Sequence, residues 1–289
     1  MEAYETAVYM LPQELKAEAL AFLGETVEEI RLRTGRRPTA LIGGAEHEMS
    51  RTAVTEEQIQ CVLERATGAS IHSAAHAMAE GYITCRGLRI GLCGTAVMRD
   101  REMAGYQYFS SLNIRIPREC RGVCDALTGE IYRGGFQNTL IVSRPGGGKT
   151  TALRELVRQI SDGGTRVGVV DERNELSAAD GARAQFDLGR CSDVLVGVPK
   201  AEGAMMLLRG MNPQVIAMDE ITREQDIEAI GQIYGCGVGL LASAHARNRD
   251  ELTRRPLYRE LLELGAFQYI VTITGTGRER RFSAERICA

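Results

Sequence analysis

The sequence predicts an α/β protein. Its C-terminal part is a parallel β-sheet covered by helices, and its N-terminal part is a smaller α+β domain. The main observation is that apolar segments of strand length alternate with helical segments after residue 139. This alternation is typical of a parallel sheet with helices on both faces. Two further observations agree: the first of these strands leads into a glycine-rich turn and a helix, and a later strand ends in two adjacent acids.

Short helices and strands are predicted for residues 1–122, the N-terminal α+β domain. Thr55 and Gln58 have the spacing of a capping box, which predicts a helix that ends near Ala66. Two more helices are predicted at residues 12–23 and 70–80. The predicted strands are 28–33, 38–42, 82–85, 88–92, 95–98 and 112–116, and the glycines at 81, 87, 91 and 94 mark the turns of the later ones.

Residues 123–138 are predicted to link the two domains, with a short helix at 125–132. Residues 139–289 then form the second domain. Its predicted strands are 139–143, 166–171, 214–219, 238–243 and 268–274. Its predicted helices are 149–160, about 200–210, 223–233, 249–254 and 257–263.

The glycine-rich turn carries the clearest functional signal. Three successive glycines let the backbone curl so that its N–H groups point at phosphate oxygens, and the following helix adds its dipole. Lys149 would neutralise the β- and γ-phosphates, and the Thr150 hydroxyl would complete the shell of a Mg²⁺ ion. The order of strand, loop and helix therefore predicts a P-loop. Its nucleotide-binding residues are Ser143, Arg144, Pro145, Gly146, Gly147, Gly148, Lys149, Thr150 and Thr151.

One residue departs from the usual P-loop pattern, G-x-x-x-x-G-K-[ST]. Ser143 stands where the first glycine belongs. Serine can hold that position only if its φ is negative, so we expect a slightly different first turn of the loop.

Two acids and a histidine follow later strands of the same domain. Asp219 and Glu220 end an apolar strand, where ligands of open parallel sheets bind. We expect Asp219 to hold Mg²⁺ and Glu220 to polarise the attacking water, as in a Walker B motif. Ser243 and His245 end another apolar strand, where a sensor of the γ-phosphate would lie. Together these residues predict a Mg²⁺-dependent ATPase, and the absence of a guanine-reading N/T-K-x-D motif favours ATP over GTP.

Composition favours an intracellular enzyme. The 289 residues suit two domains, and the net charge of −3 gives no general attraction to nucleic acid. The N-terminus has no basic and apolar leader, and no apolar run approaches 18 residues, so we expect a cytoplasmic protein without direct membrane insertion. The eight cysteines include no C-x-x-C pair, which favours reduced thiols. His72 and His76 are four residues apart but lack a third ligand, so no zinc site is expected.

Seven sequence blocks are similar to those of the stage III sporulation protein AA family. They are Val27–Arg33, Gly81–Thr84, Arg89–Gly94, Ser110–Ile116, Val170–Leu176, Pro199–Gly203 and Asn212–Glu220. That family resembles the ATPases of type II and type IV secretion systems. The resemblance implies a RecA-like P-loop NTPase core hinged to the N-terminal domain, and assembly into a hexamer on the cytoplasmic face of a membrane channel.

The resemblance also assigns roles to residues. Asp171–Glu175 matches the acidic box of the secretion ATPases, which makes Glu175 a second candidate for the catalytic glutamate. Ala242–His245 matches their histidine box, and Met211–Asp226 their Walker B block. By the same resemblance, the motor powers a channel between mother cell and forespore, with membrane channel proteins as partners and a peripheral site at the mother-cell membrane. Ser143-Arg144 and Ile221-Thr222 depart from the family pattern.

An arginine of the N-terminal domain is predicted to reach the nucleotide of an adjacent subunit as an arginine finger. Arg115 is one candidate because apolar and polar residues alternate along its strand and Arg115 falls on the polar face. Arg118 and Arg89 are the others. The competing interpretation is a solvated arginine, or one paired with Glu119.

Two other functions stay open at this stage. One is a nucleic-acid-directed P-loop ATPase whose arginine-rich N-terminal domain binds single strands. Such a site would need aromatic residues between its basic ones. Aromatic residues make up only 5% of the chain and Trp is absent, so we do not expect nucleic acid as the partner. The other is a scaffold that binds ATP and scarcely hydrolyses it, which the Ser143 substitution permits.

Overall fold

The computed structural model describes residues 2–68, 78, 81–99, 102–117, 119–132, 134–275 and 280–287. Within them the chain forms two compact units. The first contains Met1–Arg118 and also the short segment Ala178–Gln185, and the second contains Glu119–Ser177 and Phe186–Ala289. The predicted helix at 70–80 lies outside the described residues, apart from Met78, and so do His72 and His76.

The first unit is a six-stranded antiparallel sheet with helices. Its strand order is β3-β2-β1-β6-β5-β4. The strands are β1 (Val27–Arg33), β2 (Thr39–Ile42), β3 (Ala45–Glu48), β4 (Tyr82–Cys85), β5 (Leu88–Arg99) and β6 (Glu102–Arg115), and the helices are α1 (Glu2–Met10), α2 (Gln13–Leu20) and α3 (Glu56–Ala66). The capping box is confirmed, since Thr55 and Gln58 exchange both of its hydrogen bonds at the start of α3. Ile30 and Ile114 of the sheet are fully buried in the core of this unit.

Two predicted strands of the first unit are one continuous strand. The turn expected at Gly94 is a bulge inside β5 instead. A Cβ at Gly94 would lie only 1.9 Å from the carbonyl oxygen of Tyr108 on the paired strand. Glycine is needed here because the two backbones approach closely, and the same residue that suggests a turn therefore lets the strand bend. The helix α1 and the strand β3 were not predicted.

The second unit is a seven-stranded sheet with strand order β13-β12-β7-β11-β10-β8-β9. Neighbouring strands are parallel except for the edge pair β12 and β13. The strands are β7 (Thr139–Ser143), β8 (Val167–Asp171), β9 (Ser192–Val196), β10 (Val215–Met218), β11 (Gly239–His245), β12 (Tyr269–Thr274) and β13 (Arg281–Arg286). The edge strands β9 and β13 were not predicted.

The helices of the second unit include a segment that we predicted as part of a linker. This helix is α4 (Asp125–Ile131), and its Leu127 and Ile131 are buried in the core of the second unit. The other helices are α5 (Lys149–Asp162), α6 (Lys200–Gly210), α7 (Glu224–Gly235), α8 (Arg249–Arg254) and α9 (Pro256–Glu263). No helix in the described part of the chain is long and apolar enough to cross a membrane.

The register of the parallel strands decides which side chains meet. Their C-terminal ends lie at one edge of the sheet, where ligands of such sheets bind. At that edge His245 of β11 pairs with Ser143 of β7. Met218 of β10 pairs with Ala242 on one side and with Val170 on the other. The residues that follow these strands therefore come together from separate parts of the sequence.

Candidate nucleotide-binding site

The predicted P-loop has the backbone that a phosphate-binding loop needs. It leaves the buried strand β7 at Ser143, and α5 begins at Lys149. Gly146 and Gly148 have φ values of 73° and 98°, a left-handed conformation that favours glycine. Successive N–H groups of such a loop, together with the N-terminus of a long helix, form an anion-binding concavity.

Ser143 is accommodated within the loop. It is not among the described residues with positive φ, as the serine requires. Its hydroxyl donates a hydrogen bond to the carbonyl oxygen of Arg144 at 2.8 Å. A Cβ at Gly147 would lie 2.4 Å from this hydroxyl oxygen, so Gly147 provides the space that Ser143 occupies. The loop thus accommodates serine at position 143 because position 147 has no side chain.

A hydroxyl and a carboxylate meet beside the loop. The Thr150 hydroxyl donates to Oδ2 of Asp219 at 2.7 Å, and Ser243 donates to the other oxygen, Oδ1. The backbone N–H of Glu220 also donates to Oδ1, at 2.9 Å. These contacts fix the orientation of Asp219. Hydroxyl and carboxylate oxygens are ligands that Mg²⁺ prefers, so Thr150 and Asp219 fit a magnesium ion that also binds phosphate.

A chain of contacts runs from the P-loop lysine to Glu220. Lys149 Nζ lies 2.7 Å from Nδ1 of His245, and Nε2 of His245 lies 2.7 Å from Oε1 of Glu220. An ammonium group can only donate, so Nδ1 accepts and the ring proton on Nε2 is donated to the Glu220 carboxylate. Burial lowers the pKa of Lys149, while the carboxylates of Asp219 and Glu220 oppose this shift.

Glu220 is held in an unusual backbone conformation. Its φ is 41°, in the left-handed region that costs energy for a residue with a side chain. Its carboxylate lies between His245 and Arg173, whose Nη1 is 3.5 Å from Oε2. Its N–H also faces the Ser243 hydroxyl at 3.0 Å. Strain of this kind persists where surrounding contacts over-determine the residue, and these contacts do so for Glu220.

The predicted acidic segment is organised by its first residue. Asp171 is buried and accepts hydrogen bonds from the N–H groups of Glu175, Leu176 and Ser177 at 2.8–3.1 Å. The Ser177 hydroxyl donates to it as well, at 2.7 Å. With these donors around its carboxylate, Asp171 closes the turn that carries Glu175. Arg154 of α5 supports the same turn by donating to the carbonyl oxygens of Glu175 and Leu176.

Arg115 lies in the first unit. Its Nε is 3.2 Å from Oε1 of Glu29 on the neighbouring strand, and 60% of its side chain is exposed. Its ion-pair partner is therefore Glu29, where we had considered Glu119. Burial raises the pKa of Glu29, but hydrogen bonds from Arg31 and Arg115 outweigh this and leave the pKa lowered. Arg89 stacks over the ring of Tyr82, and Arg118 lies outside the described residues.

A cleft of about 760 Å³ opens beside the P-loop. It is lined by the loop itself, by the segment that begins α8, and by the end of β12. Its lining residues are Arg144–Gly147, Arg247, Asn248, Asp250, Glu251, Arg254 and Ile273–Gly275. Its size falls in the range of small-molecule sites.

A comparison with protein families now places the chain. The profile described as "Sporulation stage III, protein AA" matches residues 10–283. The chain belongs to this family. A family relative, Stage III sporulation protein AA of Bacillus subtilis (strain 168), is 35% identical over 268 residues, which cover 89% of this chain and 87% of the relative. The uncharacterized protein ycf45 of Porphyra purpurea is 28% identical over 262 residues, 90% of this chain and 43% of that protein.

Solved structures similar to this sporulation-family chain include the ATPase DotB and the pilus retraction motor PilT. The ATPase DotB of Yersinia pseudotuberculosis superposes with a TM-score of 0.65 at 14% identity, covering 95% of this chain and 79% of that chain. The pilus retraction motor PilT with bound ADP gives a TM-score of 0.62 at 15% identity, covering 93% and 82%. Similarity at this level of identity shows a shared fold.

The structure brings most of the predicted site residues of this family member to one sheet edge. Lys149, Thr150, Asp219, Glu220 and His245 are joined there by direct contacts. Sequence reasoning singled out neither Arg280, which lies against the P-loop, nor the contact of Arg173 with Glu220. Arginines are common on surfaces, so the sequence offered no signal that separated these two from the rest.

Proposed function

We propose that this protein is a Mg²⁺-dependent ATPase of the secretion-ATPase type. The observation that carries the proposal is the contact between Thr150 and Asp219 beside a glycine loop whose lysine contacts His245, which in turn contacts Glu220. A hydroxyl and a carboxylate for Mg²⁺, a lysine for phosphates and a held glutamate for water are the parts that phosphoryl transfer uses. ATP is the proposed nucleotide, and the cleft beside the loop is proposed to take its base and ribose.

The proposed chemistry is in-line attack of water on the γ-phosphate. Bound Mg²⁺, held by Thr150 and Asp219, would neutralise charge on the phosphate oxygens. Lys149 leaves His245 to contact phosphate, because a doubly charged phosphate attracts the ammonium more strongly than a neutral ring does. Glu220 orients the attacking water and accepts its proton. His245 loses its lysine partner when the γ-phosphate is bound and keeps its contact with Glu220, so it responds to the presence of the γ-phosphate.

The proposed physiological function is to drive or assemble a membrane-spanning channel during endospore formation. Membership of the sporulation family supports the process, and the fold shared with DotB and PilT supports a motor. We further propose a homo-oligomer, a hexamer, that works with membrane channel proteins at the cytoplasmic face of the mother-cell membrane. The nucleic-acid alternative gains no support from the arginines of the first unit that pair with acids, Arg33 with Glu46 and Arg37 with Glu48.

The test is release of inorganic phosphate from ATP by the purified protein. We expect Mg²⁺-dependent release by the wild type, loss of it with EDTA, and no detectable release or ATP binding by Lys149→Ala, which lacks the phosphate-neutralising charge. Lys16→Ala is the matched control, because it removes a lysine of the first unit that stacks on Tyr9. Wild-type affinity for ATP in the Lys149→Ala variant would contradict the P-loop assignment.

A further inference from the structure

Arg280 lies at the P-loop edge of the second unit although it is distant in sequence. It directly precedes β13, whose first residue Arg281 pairs with Thr274 at the end of β12. Strand β12 is parallel to the P-loop strand, and its Thr272 pairs with Val142. The end of β12 and the start of β13 therefore lie level with the turn that follows Ser143.

The guanidinium group of Arg280 packs directly on the loop. A Cβ built on Gly148 would lie 2.9 Å from Cζ of Arg280, 3.1 Å from Nε and 3.2 Å from Nη1. Gly148 is the residue immediately before Lys149, at the helix N-terminus. Its lack of a side chain allows the arginine to approach the loop this closely, besides allowing the left-handed φ. The guanidinium thus lies beside the backbone that would bind phosphate.

The buried nitrogen of this arginine has no acceptor. Nε of Arg280 is inaccessible to solvent, and none of the residues that the structure describes accepts a hydrogen bond from it. A buried, unsatisfied donor is costly, and the cost is larger for a charged group. An anion bound at the P-loop would supply the acceptor that Nε lacks among the described residues.

We propose that Arg280 is a ligand of the nucleotide's phosphate chain, supplied by the same subunit. Guanidinium groups bind phosphate through paired N–H donors, which a lysine cannot reproduce. Arg280 would complete a cradle in which the loop N–H groups, the Lys149 ammonium and the guanidinium surround the phosphates. The inference rests on the proposed function, because it needs a nucleotide in the P-loop.

The experiment is a calorimetric titration with a non-hydrolysable ATP analogue and Mg²⁺. The variants are Arg280→Ala, Arg280→Lys and the control Arg281→Ala, which removes an exposed arginine from the adjacent position. We expect Arg280→Ala to weaken binding about ten- to a hundredfold, the usual loss for a hydrogen bond to a charged group. Arg280→Lys should recover part of the affinity, and Arg281→Ala should bind like the wild type.

Thermal unfolding without nucleotide separates a ligand from a structural residue. We expect Arg280→Ala to keep or raise the wild-type midpoint, because the Nε donor that it removes is buried and has no partner among the described residues. A lowered midpoint with unchanged affinity would overturn the inference in favour of a structural role, and tighter binding would overturn it in favour of a residue that obstructs the site. If the wild type itself binds no analogue, the proposed ATPase function fails. If the wild type binds and Arg280→Ala binds equally well, only this inference fails.

Discussion

At the scale of single residues, the proposed hydrolysis has two candidates for the acid that orients water, Glu220 and Glu175. Glu220 is strained at φ 41°, and His245 and Arg173 hold its carboxylate at the edge where Thr150 meets Asp219. Glu175 lies in the turn that Asp171 closes, at the end of the strand adjacent to that of Glu220. Glu220 and Glu175 both follow strands that end at this edge of the sheet. Glu220 is connected to the P-loop lysine through His245. This geometry favours Glu220.

Glu220→Gln is predicted to bind ATP with about wild-type affinity and to lose roughly a hundredfold or more in turnover, since a positioned acid or base contributes about 10²–10⁴-fold. The amide keeps the shape of the side chain and an oxygen that can accept the His245 proton, so the fold should be unaffected. Turnover and nucleotide affinity are measured for this variant and for Glu175→Gln. Normal turnover in Glu220→Gln together with loss in Glu175→Gln would reverse the assignment.

At the scale of elements, the acidic segment shows how one side chain shapes a loop. Asp171 at the end of β8 accepts hydrogen bonds from three consecutive backbone N–H groups and one hydroxyl. Its carboxylate therefore supplies the acceptors for loop N–H groups that follow the strand. Arg154 of α5 links the same loop to the P-loop helix and stacks on Phe186 at 3.5 Å. Burial lowers the pKa of Arg154 to about 10. The loop is therefore braced from two elements, with Glu175 carried between them.

Asp171→Asn is predicted to loosen this loop. The new amide presents a donor where the loop N–H groups require an acceptor, a mismatch worth about 1–3 kcal/mol. Hydrogen exchange at the amides of Glu175, Leu176 and Ser177 should become about ten- to a hundredfold faster. Asp193→Asn, on the neighbouring edge strand β9, is the matched control and should leave these amides unchanged. Unchanged protection in Asp171→Asn would show that the loop is held by other contacts.

At the scale of the whole molecule, the proposed oligomer determines whether each site is complete. Arg115 lies in the first unit and is a candidate for the arginine finger. Its long side chain is mostly exposed, although it forms an ion pair with Glu29. Glu29 is buried but Arg115 is the exposed end of the pair, so the guanidinium can exchange Glu29 for a phosphate of an adjacent subunit provided that the buried carboxylate keeps another partner. Arg31 donates to the same glutamate and would keep Glu29 paired after the exchange.

Arg115→Ala is predicted to lower ATP turnover by about 10³–10⁵-fold, the contribution of an arginine finger. Mixing it with Lys149→Ala should restore part of the activity, because the Lys149 variant donates its intact arginine to an intact P-loop in the next subunit. Specific activity should also rise with protein concentration as subunits assemble. Arg31→Ala removes the other partner of Glu29 and is the control. Activity independent of concentration, with no rescue on mixing, would exclude a finger acting between subunits.

The success of the sequence predictions depended on how local their cause was. The P-loop strand was predicted at 139–143 and observed there, because five consecutive buried residues leave a continuous apolar signal. The helix α3 was predicted from its capping box, which is a contact between residues three apart. The edge strands β9 and β13 were missed, since their pairing depends on the neighbouring strand more than on their own pattern. The bulge at Gly94 was missed for a related reason, because its cause lies on the paired strand.

The sequence by itself determined the family, the class of fold and the residue types that we propose to bind phosphate, because each of these depends on short motifs whose spacing is fixed along the chain. Only the tertiary structure decided which of those residues touch. Lys149 and His245 are 96 positions apart in the sequence, and they come into contact because β7 and β11 pair in register. Strand pairing also brings Arg280 next to Gly148, because β12 pairs with β7 and β13 pairs with β12. Contacts of this kind are set by strand order and register, which arise from packing across the whole sheet.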